Sequence, residues 1–241
     1  MTDETIPRRK FLVGAGLAGT AVASGLSGEA QAQSPATSPA PAAAAAAAPQ
    51  PEPLLLLNET EHAFVVAAVD TIIPADELSP SGSQCGCDIY IDRQLASAWG
   101  GGAKMYRAGP YTKGKLEQGY QLPLTPAEFI TVGIAAANAW SRKTYNMDFD
   151  RLDPDKRIEA LKAMEEGKAD FGNVGSKAFF ARLLALAMEG FFSDPIYGGN
   201  RNMASWRMLQ YPGLPATFAN LIDEYSDKRY VAEPKSIADF S

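Results

Sequence analysis

The sequence is poor in the side chains that most often perform chemistry. Its 241 residues hold one histidine, His62, and two cysteines, Cys85 and Cys87. A single imidazole excludes a histidine-rich zinc site. Two thiols are too few for an iron–sulfur cluster of the chain's own. No C-x-x-C-H is present to attach a c-type haem, and no Gly-x-Ser-x-Gly or Walker pattern occurs. Basic charge is not in excess: 22 Lys and Arg against 28 Asp and Glu give a net charge of −6. Non-specific binding to nucleic acid is therefore not expected. Long apolar runs are missing too. The best, Val13 to Leu26, is short and mild for a bilayer span. No segment alternates polar and apolar residues for long enough to make a persuasive strand, which leaves an all-α protein.

What is present begins with an export pattern. Arg8 and Arg9, followed by Lys10-Phe11-Leu12, precede the weakly apolar stretch, and Ala30-Gln31-Ala32 fits a small-residue cleavage site. A paired arginine ahead of such a run marks a twin-arginine signal over residues 1–32, of the kind that serves proteins exported already folded. The expected location is the periplasm. Gly14-Ala15-Gly16-Leu17-Ala18-Gly19 matches G-x-G-x-x-G inside this leader. A dinucleotide site needs a strand before those glycines and a helix after them, and here a basic segment precedes them. The match is read as compositional chance. Residues 33–53 are seven consecutive alanines set among prolines, a composition that forms no core and reads as a disordered linker.

Residues 54–241 are long enough for one domain with a core. An irregular bundle of five to seven helices with long glycine-rich loops is expected. Asn58-Glu59-Thr60-Glu61 has the form of a capping box, and Val65, Ala68, Val69 and Ile72 then share a face up to Pro74. Asp88 opens a second helix with Ile91 and Leu95, closed by Gly100-Gly101-Gly102. Residues 100–124 lack periodicity and read either as a segment that lies across a partner or as short helices. Thr125-Pro126 and Asp153-Pro154 are start signals. The first opens a helix to about Asn146 carrying Phe129, Val132, Ile134, Ala137 and Trp140. The second opens one with Ile158, Leu161 and Met164 on one face. Ser176 is expected to cap a helix running to Phe192, apolar almost all round and so the most buried of the set. Pro215 is expected to open a last helix with Phe218, Leu221, Ile222 and Tyr225, before a polar, irregular tail.

Candidate chemistry is thin. His62, in the first turn of a helix, reads as a solvated surface residue. Asp70, Asp76, Glu77, Asp88, Asp92, Glu189 and Asp194 read as caps, exposed faces and local hydrogen bonds rather than an acid–base pair. For Cys85 and Cys87, in an oxidising compartment, three states compete: an internal bridge, a bridge to a partner, or two buried thiols. The candidate disulfide joins Cys85 to Cys87.

The densest stretch is Glu189 to Gly213. Asp194-Pro195 cannot continue a helix closed by Phe191 and Phe192, and Gly198-Gly199-Asn200 allows left-handed backbone angles. The chain must leave a helix, turn sharply, and present Tyr197, Arg201, Asn202, Met203, Trp206 and Arg207, which are the partner-contact candidates. Asp194 is expected to fold back on the amides of its own turn. Arg201 is expected to pair with Glu189 or Asp194, with a partner carboxylate as the alternative. Trp206 and Met208 read equally as contact patch or as core.

This stretch, through Glu189-Gly190-Phe191-Phe192, Asp194-Pro195-Ile196-Tyr197-Gly198-Gly199-Asn200-Arg201, Trp206 and Pro212-Gly213, resembles the gluconate 2-dehydrogenase subunit 3 family. Weaker similarity extends back through Asp70-Thr71-Ile72-Ile73-Pro74 to about Leu57. The resemblance implies a small, non-catalytic gamma subunit in a membrane-bound complex, with FAD in a large dehydrogenase subunit and haem c in a multihaem cytochrome c subunit. It implies no cofactor and no metal in this chain. It implies stabilisation of the flavoprotein and its carriage through the Tat machinery to the outer face of the inner membrane, with membrane association through the complex. The alternatives are an independent exported enzyme and a periplasmic binding module acting on sugars.

Overall fold

Three of the helices begin where a side chain takes an amide that a helix end leaves unpaired. A computed structural model describes residues 52–240 except 113, 116, 117 and 216. The signal, the glycine pattern and all but the end of the Ala/Pro segment lie outside the described residues. Helix α1 is Glu59–Ile72, α2 Cys87–Ala96, α3 Pro126–Tyr145, α4 Pro154–Glu165, α5 Ser176–Phe192, α6 Ala204–Leu209 and α7 Ile222–Tyr225. Among the described residues these seven α-helices come with no strand, and the fold is all-α. None is long and apolar enough to cross a membrane.

The capping box at α1 is formed: Glu61 N donates to Asn58 Oδ1 at 3.0 Å and Asn58 N to Glu61 Oε2 at 3.0 Å. Thr125 and Glu128 make the same reciprocal pair at α3, and hydrogen bonds from the Thr125 backbone and side chain hold the Glu128 carboxyl below its usual range. Asp153 Oδ1 accepts from Lys156 N at 3.0 Å to start α4. At α5 the cap is Gly175, with no side-chain bond, and Ser176 is the first helical residue, buried. A glycine at a positive φ of 72° lets the chain enter that helix from an angle closed to serine.

Helix α5 packs against α2, α3 and α4, and α1 closes the remaining side. At the centre sit Phe64, Phe149 and Phe179, with Phe64 4.8 Å from Phe149 and 6.1 Å from Phe179 between ring centroids. Burying one such ring contributes about 2–3 kcal/mol. Helices α3 and α5 cross closely because Gly133 faces Phe179: a methyl group there would fall within the ring.

The most buried helix is α2, not α5. All of Cys87 to Asp92 and Leu95 are buried, whereas Phe180, Leu184 and Met188 of α5 are half-buried and Phe192 is exposed. Two buried aspartates hide α2 from a reading based on apolar residues alone. In α4 and α3, Ile158 and Val132 are exposed; Ala160 and Gly133 take inward positions. Helix α2 ends at Ala96, ahead of the glycine triplet, in a run of turns. Within the following segment, Tyr120 touches the fold, stacked on Phe129 with centroids 3.9 Å apart. Pro215 does not open a helix. Instead a 3-10 turn at Ala219–Leu221 leads into the four residues of α7, and the tail returns to the body through a bridge between Gly213 and Lys235.

Candidate interaction site

The bend after α5 is built from conformations that few residues adopt. Ser193 leaves the helix extended, and its hydroxyl donates to Gly190 O at 3.0 Å. Asp194 Oδ1 then accepts from Ile196 N at 3.0 Å and starts the 3-10 turn Pro195–Tyr197, the local fold-back expected of it. Its other oxygen accepts from Ile237 N at 2.8 Å. Gly198, Asn200, Asn202 and Met203 all have positive φ, and at Met203 that backbone is strained.

Asn200 holds the bend from inside and is 0% exposed. Its Nδ2 donates to Ser193 O at 2.9 Å, while its Oδ1 accepts from Ser205 N at 2.9 Å and from Ser205 Oγ at 2.8 Å. A buried amide with such partners specifies geometry, because each group left unpaired would cost about 1–3 kcal/mol. Trp206 belongs to the core side: it is 7% exposed, and its Nε1 donates to Phe192 O at 3.0 Å. Met208 packs half-buried against the core. Tyr197 is 49% exposed, Asn202 and Arg207 are exposed and Met203 half-buried. Arg207 donates to Asn202 O and lies 3.7 Å from Glu233. With Phe192, Ile196, Leu209 and Tyr211, all exposed, Tyr197 gives this bend an apolar outer surface.

Arg201 does not pair with Glu189 or Asp194. Its Nη2 donates to Glu52 Oε1 at 3.0 Å, and Arg93 of α2 donates to the other oxygen of the same carboxylate. Glu52 comes from the end of the alanine- and proline-rich segment. The residues after it are anchored as well: Asp92, 1% exposed, accepts from the amides of Leu55, Leu56 and Leu57 at 2.6, 3.0 and 2.8 Å. Residues 52–57 thus lie as a strap along α2, tied at two points. The sequence alone singles out neither Glu52 nor Arg93, and there Asp92 reads as a local or exposed acid. The one available signal was that Asp92 falls on the same helical face as Asp88, among apolar residues.

Cys85 and Cys87 are not joined; both are buried free thiols. Burial, above all, pushes both thiols up from their ordinary range; at Cys87 neighbouring Cys85 and Asp88 add to this, and at Cys85 Arg201 acts against it. Gly86 between them is left-handed and caps α2. The Cys85 carbonyl accepts from Arg201 N at 3.0 Å, so this loop and the bend are stitched together. Tyr90, one turn on, is pushed up to about 12 by burial and by the adjacent Glu189 carboxylate. His62 is not a free surface residue: its Nε2 lies 2.8 Å from Asp88 Oδ2. Asp88 Oδ1 is buried without a partner among the described residues. No group of three or more His, Cys, Asp or Glu side chains able to hold a metal occurs among them either.

A family model described as Gluconate 2-dehydrogenase subunit 3 matches residues 59–213, from the start of α1 to the end of the bend. No curated protein and no solved structure matches the chain.

Proposed function

The chain belongs to the gluconate 2-dehydrogenase subunit 3 family, and from that premise we propose that it is the non-catalytic small subunit of a membrane-bound dehydrogenase complex. In this reading it binds and stabilises a large FAD-containing subunit, beside a multihaem cytochrome c subunit. The flavin and the hydride chemistry belong to the large subunit. The bend supplies the contact. The bend exposes Phe192, Ile196, Tyr197, Leu209 and Tyr211 and carries Arg201 and Arg207, a composition typical of interface centres. That surface, inside the family match, is the observation that carries the reading.

The leader supports a second part of the proposal. Arg8 and Arg9 direct export by the twin-arginine route, and a flavoprotein loaded in the cytoplasm needs a route that keeps it folded. The complex would then stand at the periplasmic face of the inner membrane.

The test is made in the native host. Tagged full-length chain should retain a flavoprotein with a flavin spectrum after detergent solubilisation. Removing residues 1–32 should strand that flavoprotein in the cytoplasm. A flavoprotein that still reaches the periplasm would end the escort role, and a purified chain that itself oxidises a sugar acid would end the non-catalytic reading.

A further inference from the structure

Arg93 and Arg201 come from different elements and converge on one carboxylate. Both guanidinium groups are seated on glycine. At Gly198, where φ is 97°, an added Cβ would lie 2.6 Å from Arg93 Nη1. At Gly86, where φ is 78°, it would lie 3.0 Å from Arg201 Nε. The hydrogen bond from Arg201 N to Cys85 O fixes the two loops against each other. The backbone at Gly86 and Gly198 thus approaches both arginine side chains closely, while Glu52 takes the hydrogen bonds of their ends.

Glu52 is an incomplete partner for this pair. It supplies one negative charge to two positive ones, and among the described residues no other carboxylate is paired with either arginine. All three side chains are about one third exposed, at 38% for Arg93, 32% for Arg201 and 33% for Glu52, so solvent screens the contact and keeps it exchangeable. The family match begins at residue 59. It takes in both arginines and both glycines and leaves Glu52 outside. Ile196 and Tyr197, both exposed, directly precede Gly198 on the bend.

We propose that Arg93 and Arg201 form a receptor for a carboxylate of the partner subunit, and that Glu52 is an internal ligand which fills it in the unassembled chain. This rests on the subunit reading above. A planar guanidinium fork suits an aspartate, a glutamate or a terminal carboxylate. Docking would replace Glu52 with the partner's acid, and burial in the interface would strengthen the new pair beyond the screened one it displaces. The strap would keep its second anchor at Asp92 during the exchange.

The experiment uses full-length tagged chain produced in the native host in place of the wild-type copy. Flavin co-purified per chain is the readout, and thermal unfolding of each variant is the control for folding. Glu52→Gln is expected to retain at least as much flavoprotein as wild type, because the competitor is gone. Arg93→Gln and Arg201→Gln are expected to lose at least about tenfold. In the Glu52→Gln chain, phenylglyoxal should modify Arg201 rapidly when the chain is free and slowly in the complex. Equal losses in Glu52→Gln and Arg201→Gln would reduce the cluster to an internal clip and overturn the proposal. So would an Arg201 that reacts equally fast in the complex and in the free chain. A wild-type chain that retains no flavoprotein would instead sink the subunit reading itself, so the two failures are told apart.

Discussion

The Asp92 carboxylate accepts a hydrogen bond from Leu57 N at 2.8 Å, within a set of three that it takes from consecutive amides. An anion that is 1% exposed is stable only because those donors replace water. The consequence is that the strap's second anchor, beside the Glu52 side chain, acts on its backbone and is indifferent to the side chains of Leu55 and Leu56.

Asp92→Ala should therefore cost about 3 kcal/mol, because the bonds are charge-assisted and the Leu57 amide is left buried. Urea unfolding measures the loss. Limited proteolysis should show new cleavage near residues 53–57, while Leu55→Ala and Leu56→Ala remain as resistant as wild type. Unchanged protection in Asp92→Ala would remove the anchoring role.

Asn200 offers a cleaner separation of backbone from side chain. Asn200→Gly keeps the left-handed conformation, at a φ of 45°, and loses three hydrogen bonds, for about 3 kcal/mol. Asn200→Ala should lose about 1 kcal/mol more, since a Cβ without a compensating polar group is disfavoured there. Denaturant midpoints of the two variants test the order; alanine more stable than glycine would contradict it.

Gly133→Ala sets two effects against each other. In an unobstructed helix interior the change would stabilise by about 1 kcal/mol. Here the new methyl overlaps the Phe179 ring, and overpacking costs about 1–3 kcal/mol. A net destabilisation is expected, relieved in part by adding Phe179→Leu. Thermal unfolding of Gly133→Ala, Phe179→Leu and the double variant decides it.

The fold should weaken at alkaline pH and not at neutral pH. The Cys85, Cys87 and Tyr90 groups all have raised values, mainly through burial. Folded protein keeps these protons where unfolded chain releases them. Their stabilising effect is complete below the ordinary thiol value of 9.0 and is lost as pH climbs through the folded values, for Tyr90 at about 12. The melting temperature should fall progressively above pH 9, less steeply in Cys87→Ala and Tyr90→Phe. Thiol reagents should react with native protein only after unfolding.

Local chemistry was legible in the chain, and long-range chemistry was not. Asn58, Thr125 and Asp153 start their helices as read because a cap and its amide lie three residues apart. Asp194 turned back as expected for the same reason. The Arg201–Glu52 pair spans 149 positions, and nothing at either end announces the other. The burial of α2 was missed because Asp88 and Asp92 look solvent-facing until their partners, His62 and the strap, are placed. Pro215 failed as a start signal because residues 219–225 give only one short apolar turn, too few to extend a helix. Trp206 was ambiguous until its indole found the Phe192 carbonyl.

The tail bond between Ile237 N and Asp194 Oδ2 has a practical side. Ile237 of the tail and Glu52 of the strap both tie to the bend, through Asp194 and Arg201. Protease clipping on either side during storage would slacken the bend first and leave the aromatic centre intact. An aged preparation would still melt cooperatively and show full helicity while the bend had already lost its moorings.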